Sequence, residues 1–143
     1  FHDLESEKDY YDDNEKLENL STRLKDLAEE LTIPIWCTAE LRKAKQFRRP
    51  VMEDIRATNK TVYNAKLILM LYNEVGIEQQ NATVYYRNPD QPGKQPVLEV
   101  DFNKNKMSAF KGNLYYEFIP NYAYFLEASE EDMEKYNNLV YQG

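Results

Sequence analysis

Leucines recur along residues 17–31 at spacings of three and four: Leu17, Leu20, Leu24, Leu27 and Leu31. That period lays them along one face of an α-helix. Asp12, Asp13 or Asn14 can cap its start, and Thr32 with Pro34 stops it, because the residue before a proline disfavours helical geometry. Next stands Ile33-Pro34-Ile35-Trp36-Cys37-Thr38, an apolar run without alternation. Such a run predicts a strand buried on both faces, as in a parallel sheet, with Trp36 in the core. Helix, tight loop and buried strand make half of a β-α-β unit.

Further along, residues 39–50 are irregular and basic, and Pro50 breaks structure ahead of a helical turn over 51–57. A second unbroken apolar run at 65–72 predicts a second buried strand. Gly76, Pro89, Pro92 and Gly93 mark 73–95 as a long loop with one short strand at 83–87. From Pro96 the period becomes two, with Leu98, Val100 and Phe102 on one face and Glu99 and Asp101 on a wet face. After a loop at 103–112, residues 114–118 and 122–126 predict further antiparallel strands. Their tyrosines, Tyr115, Tyr116, Tyr122 and Tyr124, suit sheet packing better than base stacking. Ser129 caps a short final helix over 129–137, with Glu130 and Glu131 in its first turn.

Composition adds limits. The 143 residues, 42% hydrophobic and 13% aromatic with 4 Gly, suffice for one folded domain and exclude a disordered chain. The longest apolar run, six residues, is far short of a membrane span. The N-terminal Phe1-His2-Asp3-Leu4-Glu5 does not read as a signal peptide, and its abrupt start leads to the expectation of a chain cut from something longer. The lone Cys37 excludes an internal disulfide framework and fits a reducing, cytoplasmic compartment; with a single His it also argues against a zinc site. Net charge is −7, unevenly spread: residues 1–31 hold eleven acids against four bases, 32–126 nine against thirteen, and 127–143 five against one. An acidic helix and an acidic tail thus flank a mildly basic middle, which leaves a local phosphate-binding surface open. No GxxxxGK[ST], GxGxxG, CxxC or GxSxG motif occurs, and no carboxylate spacing singles out an acid–base pair. Periodicity and composition alone give an α/β domain.

Four ordered stretches go further. Residues 24–43, from Leu24-Lys25-Asp26-Leu27-Ala28-Glu29-Glu30-Leu31 through Pro34 to Glu40-Leu41-Arg42-Lys43, resemble a segment of the DnaB-like helicases. Arg48-Arg49-Pro50-Val51-Met52-Glu53-Asp54-Ile55-Arg56 looks like the same family's next segment, at nearly the family's spacing. Asn64-Ala65-Lys66 with the apolar run after it, and Lys104-Asn105-Lys106 followed by Gly112 and 114–118, sit where the family has comparable elements. The resemblance covers roughly residues 15–126. It implies part of a RecA-like P-loop ATPase fold: a central, largely parallel sheet with antiparallel strands toward the C-terminal end, spanning 1–143 with a loop at 1–15 and an acidic tail at 127–143. It further implies a parent that is an ATP- and Mg²⁺-dependent helicase, ringed as a hexamer around single-stranded DNA. The phosphate loop and the Mg²⁺-handling Asp would lie upstream of Phe1, so this stretch alone would hold no nucleotide.

The resemblance also distributes roles. Glu40 stands where the family has a sensor Gln; a carboxylate cannot donate to a γ-phosphate, so a water- or metal-orienting role and a plain surface glutamate both stay open. Arg42, Lys43, Lys45, Arg48 and Arg49 place five bases in eight residues without an acid, a candidate phosphate-backbone contact or a solvated loop. Arg56, Ala57, Thr58 and Asn59 match a DNA-contacting loop, with Lys60 adding charge and Ala57 replacing the family's Glu. Lys104 and Lys106 match a Lys-x-Arg pair that acts in trans on the next subunit's ATP, with Lys106 lacking the arginine fork and one extra residue before Gly112. The rival reading is a diverged, non-catalytic RecA-like module that binds DNA or a protein.

Overall fold

Asp12 starts the first helix. Its backbone is extended and its Oδ1 accepts the Glu15 N–H at 2.8 Å, which satisfies one of the unpaired donors of helix α1, Asp13–Leu31. At the other end Thr32 turns left-handed (φ 54°), and the N–H groups of Thr32 and Ile33 return to the Ala28 carbonyl. The computed structural model describes residues 1, 3–4, 9–42 and 48–141. Only the first half of the leucine stripe is covered: Leu17 and Leu20 are buried, while Leu27 and Leu31 are exposed. The cover is α2 (Asn59–Asn64), capped by Thr58 Oγ1 on the Thr61 N–H. Asn64 Nδ2 donates to Ser21 Oγ and Thr22 Oγ1, and Thr61 Oγ1 to the Leu17 carbonyl, fixing α2 across α1.

The sheet has five strands: β1 (Leu67–Tyr72), β2 (Tyr85–Asn88), β3 (Gln91–Asn105), β4 (Asn113–Ile119) and β5 (Tyr124–Glu127). Their order is β1-β3-β4-β5, with β2 also on β3. The class is α/β as expected, but every strand pairing among the described residues is antiparallel. The parallel component expected at 33–38 is absent: residues 33–40 adopt no regular structure, and Trp36 is 74% exposed rather than in the core. A strand buried on two faces needs ladder partners, and the described residues offer this stretch none before Leu41, which bridges Ile55.

β3 is the spine. It is longer than its alternation suggests, because the polar segment from Gln91 joins it through a hairpin with β2 and its end carries on to Asn105. The segment between β1 and β2, expected as loop, holds the short helix α3 (Glu74–Glu78) and a 3₁₀ turn, Gln79–Asn81. Val97 and Val100 are buried, and so is Glu99, which overturns its expected place on a wet face. The main core joins Val84, Tyr86, Val97, Tyr115 and Ala128 to Tyr136 of α4 (Glu130–Tyr141), with Met133 and Val140 packed against it. Ser129 Oγ accepts the Asp132 N–H and caps α4. Tyr115 thus packs in the sheet core, as expected of it. Tyr122, in the 3₁₀ turn Pro120–Tyr122, is 80% exposed, and Tyr124, on the edge strand β5, is 55% exposed.

Candidate nucleic-acid interface

Two of the resembling stretches meet in a small antiparallel clasp. The Arg42 N–H donates to the Asp54 carbonyl at 2.6 Å and the Arg56 N–H to the Glu40 carbonyl at 2.9 Å, on either side of the Leu41–Ile55 bridge. This register sets the Glu40 and Arg56 side chains together on the surface, Oε2 to Nη1 3.2 Å. The chain between closes on itself. Arg48 places both terminal nitrogens on the two Asp54 carboxylate oxygens at 2.7 Å, and the Val51 N–H donates to Oδ2 over the 3₁₀ turn Met52–Asp54. The Arg48 and Val51 donors hold the Asp54 carboxyl below its ordinary range.

Arg49 turns inward instead. Its Nε and Nη2 grip both oxygens of Glu99, and Nη2 also reaches Glu74 Oε2 at 2.8 Å, with the guanidinium 5.2 Å from the Tyr72 ring centre. Glu74, at the start of α3, also accepts from Thr83 N–H and Oγ1 and from the Val84 N–H. Burial opposes ionisation of Glu74, but those donors and Arg49 outweigh it and its pKa falls. Burial of Glu99 is not fully offset by Arg49, and its pKa rises. Burial works against the charge on Arg49 too, and the two carboxylates more than compensate. The fork geometry of Arg suits a group that bridges two buried carboxylates.

The basic finger lies against α2. Lys104 is in β3, and Lys106 directly follows it, its N–H bonded to the Lys66 carbonyl at 2.9 Å. Lys104 Nζ donates to the carbonyls of Val62 and Tyr63 in the last turn of α2; Lys106 Nζ reaches the Tyr63 carbonyl at 3.4 Å and sits 4.4 Å from the Tyr63 ring centre. Cations at a helix C-terminus meet free carbonyls and the negative end of the helix dipole. Lys104 is half-buried, and burial together with the neighbouring Lys106 charge lowers its pKa; Lys106 is exposed. Asn105 shapes the tip beyond: its side chain receives the Met107 and Ser108 N–H groups and donates to the Phe110 carbonyl. Gly112 supplies the left-handed residue (φ 139°) that returns the chain into β4.

The expected site residues therefore separate. Glu40, Arg42 and Arg56 come together at the clasp, with Arg42 exposed. Asn59 and Lys60 are not in a loop but open α2, where Lys60 Nζ lies 3.9 Å from Glu18 of α1. Lys104 and Lys106 occupy the other end of the same helix. Arg48 and Arg49 have their guanidinium groups on carboxylates within the fold. Lys43 and Lys45 lie outside the described residues. The roles of Glu74, Glu99 and Tyr63 were not visible in the sequence: the Arg49 partners are 25 and 50 residues away, and Tyr63 looks like any surface tyrosine. For a nucleotide the chain offers cations but no phosphate-cradling loop, and among the described residues no cluster of His, Cys, Asp or Glu is placed to hold a metal. Among them, too, no helix is long and apolar enough to cross a membrane.

Residues 2–127 match the family described as DnaB-like helicase C terminal domain. No curated protein matches the chain.

Proposed function

The chain belongs to the DnaB-like helicases, through their C-terminal domain, and on that premise we propose that it is the DNA-facing and trans-acting part of an ATP-dependent ring helicase. Its α/β fold, with a five-stranded antiparallel sheet, is a partial RecA-like one. One observation carries the finer reading: the helix α2 has the candidate DNA-contacting residues, Arg56 to Asn59, at its start and the basic finger, Lys104 and Lys106, at its end. Both features a ring motor must couple are therefore joined by a single short helix.

In this reading Arg42, Arg56, Asn59 and Lys60 face single-stranded DNA and bind its phosphates, and Lys43 and Lys45, outside the described residues, are assigned to the same role from the sequence. Arg48 and Arg49 are assigned to the framework, because their guanidinium groups hold Asp54, Glu74 and Glu99. Lys104 anchors the finger, and the exposed Lys106 reaches the ATP bound by the next subunit of a hexamer. A point charge there stabilises the transferring phosphoryl group without arginine's bidentate contact. Glu40, beside Arg56, links the sensor position to the DNA loop. ATP and Mg²⁺ are supplied by residues of the parent helicase outside this stretch, acting in the cytoplasm.

The uncovered second half of the α1 stripe, with Ile33 and Trp36 exposed, favours this reading over a self-standing binding module. A module that worked alone would leave fewer large apolar side chains in water. Binding of single-stranded DNA to the chain over a series of salt concentrations tests the proposal. Affinity that falls log-linearly with salt supports it; salt-independent binding, or none to the assembled helicase, counts against it.

A further inference from the structure

Tyr63 is 72% exposed, yet it is the residue on which the basic finger converges. Its carbonyl accepts from both Lys104 and Lys106, and its ring lies 5.7 Å from one ammonium and 4.4 Å from the other. The attachment is graded. Lys104 also holds the Val62 carbonyl and is half-buried, whereas Lys106 is exposed and its bond to Tyr63 is long, 3.4 Å. The other end of the helix is held too: Thr58 caps it, and Arg56 just before it is tied by its backbone to Glu40. The six-residue helix is thus the segment that joins the two features.

We propose that Tyr63 is a positioning residue that holds Lys106 on the end of α2, so that a shift of the segment leading into α2, residues 56–58, moves the lysine toward or away from the neighbouring subunit. The ring face gives Lys106 a resting place that is attractive but not buried, from which it leaves without breaking a strong bond. DNA seated on that segment moves α2, and the finger moves with it. This rests on the proposed trans role of Lys106.

The test uses the full-length helicase and a thymidine homopolymer as the DNA. Steady-state ATP hydrolysis is measured with and without it for Tyr63→Ala, Tyr63→Phe and Lys106→Ala. Tyr63→Ala is expected to cut the DNA stimulation of kcat by up to roughly a hundredfold, as a small misplacement of a reacting group can do, with KM for ATP and DNA affinity little changed. Tyr63→Phe keeps the ring face and is expected to retain the stimulation. Wild-type stimulation in Tyr63→Ala, with Lys106→Ala inactive, refutes the positioning role alone. Equal loss in Tyr63→Phe refutes the ring as the holder. Full turnover in Lys106→Ala removes the trans role and this inference with it.

Discussion

The Arg49 guanidinium holds both carboxylate oxygens of Glu99, at 2.7 and 2.8 Å, across fifty residues of chain. With Glu74 as its second partner, Arg49 fastens the segment that forms the clasp to the spine strand of the sheet. Truncating one member of a buried ion group leaves the others unpaired, which costs about 3–5 kcal/mol. Arg49 is one-third exposed, so Arg49→Ala is expected near the low end, about 3 kcal/mol, by chemical denaturation. Arg49→Lys keeps the charge without the fork and falls between. A loss under about 1 kcal/mol would place the group among solvent-screened surface pairs.

The same triad gives stability a two-sided pH dependence. Glu74 has a lowered pKa in the fold, so its contribution is present above the unfolded value of 4.5 and is lost as pH falls through the folded value. Glu99 has a raised pKa, so the folded state takes up its proton first, and stability gains as pH falls from neutral toward 4.5. Thermal melts across this range are expected to rise slightly and then fall. Glu74→Gln removes part of the acid fall, and Glu99→Gln flattens the rise above it. A profile unaltered by either substitution contradicts the assignment.

How much of this was legible in the sequence follows from how local each signal is. The caps Asp12, Thr32 and Ser129 and the run Leu67–Tyr72 act through near neighbours, and the structure has them in place. The run at 33–38 is apolar enough for a buried strand, but a strand exists only with a ladder beside it, and no periodicity in these residues reveals its lack. Alternation put Glu99 in water because its compensating charge is distant in sequence. The site residues Arg48 and Arg49 read as free cations for the same reason. Helix α2, six residues with two Asn and one Thr, has too little propensity and length to be foreseen.

Arg56 and Glu40 bear on DNA binding in opposite directions. Arg56→Ala is expected to weaken single-stranded DNA binding and to reduce the slope of log affinity against log salt by about one. Glu40→Gln removes a negative charge 3.2 Å from that guanidinium and is expected to strengthen binding at low salt. Identical salt slopes for wild type and Arg56→Ala would remove Arg56 from the interface.

Trp36 is the single tryptophan, and it is exposed. Its emission in the 143-residue chain is expected to resemble that of indole in water and to be quenched freely by acrylamide. If the apolar run at 33–38 is covered in the assembled helicase, the emission there is expected to shift blue and quenching to fall. Equal quenching in both contradicts the reading of this exposed apolar surface as one that a larger assembly covers.

The account rests most directly on Lys106, the exposed cation at the end of α2. The decisive measurement is ATP hydrolysis by full-length Lys106→Ala beside its affinity for ATP. A cation acting in trans on the transferring phosphoryl group is worth roughly 10³-fold or more in kcat, so turnover is expected to collapse while ATP affinity stays close to wild type. Unchanged turnover would contradict the trans-acting role and leave the chain a DNA-binding part of the helicase alone.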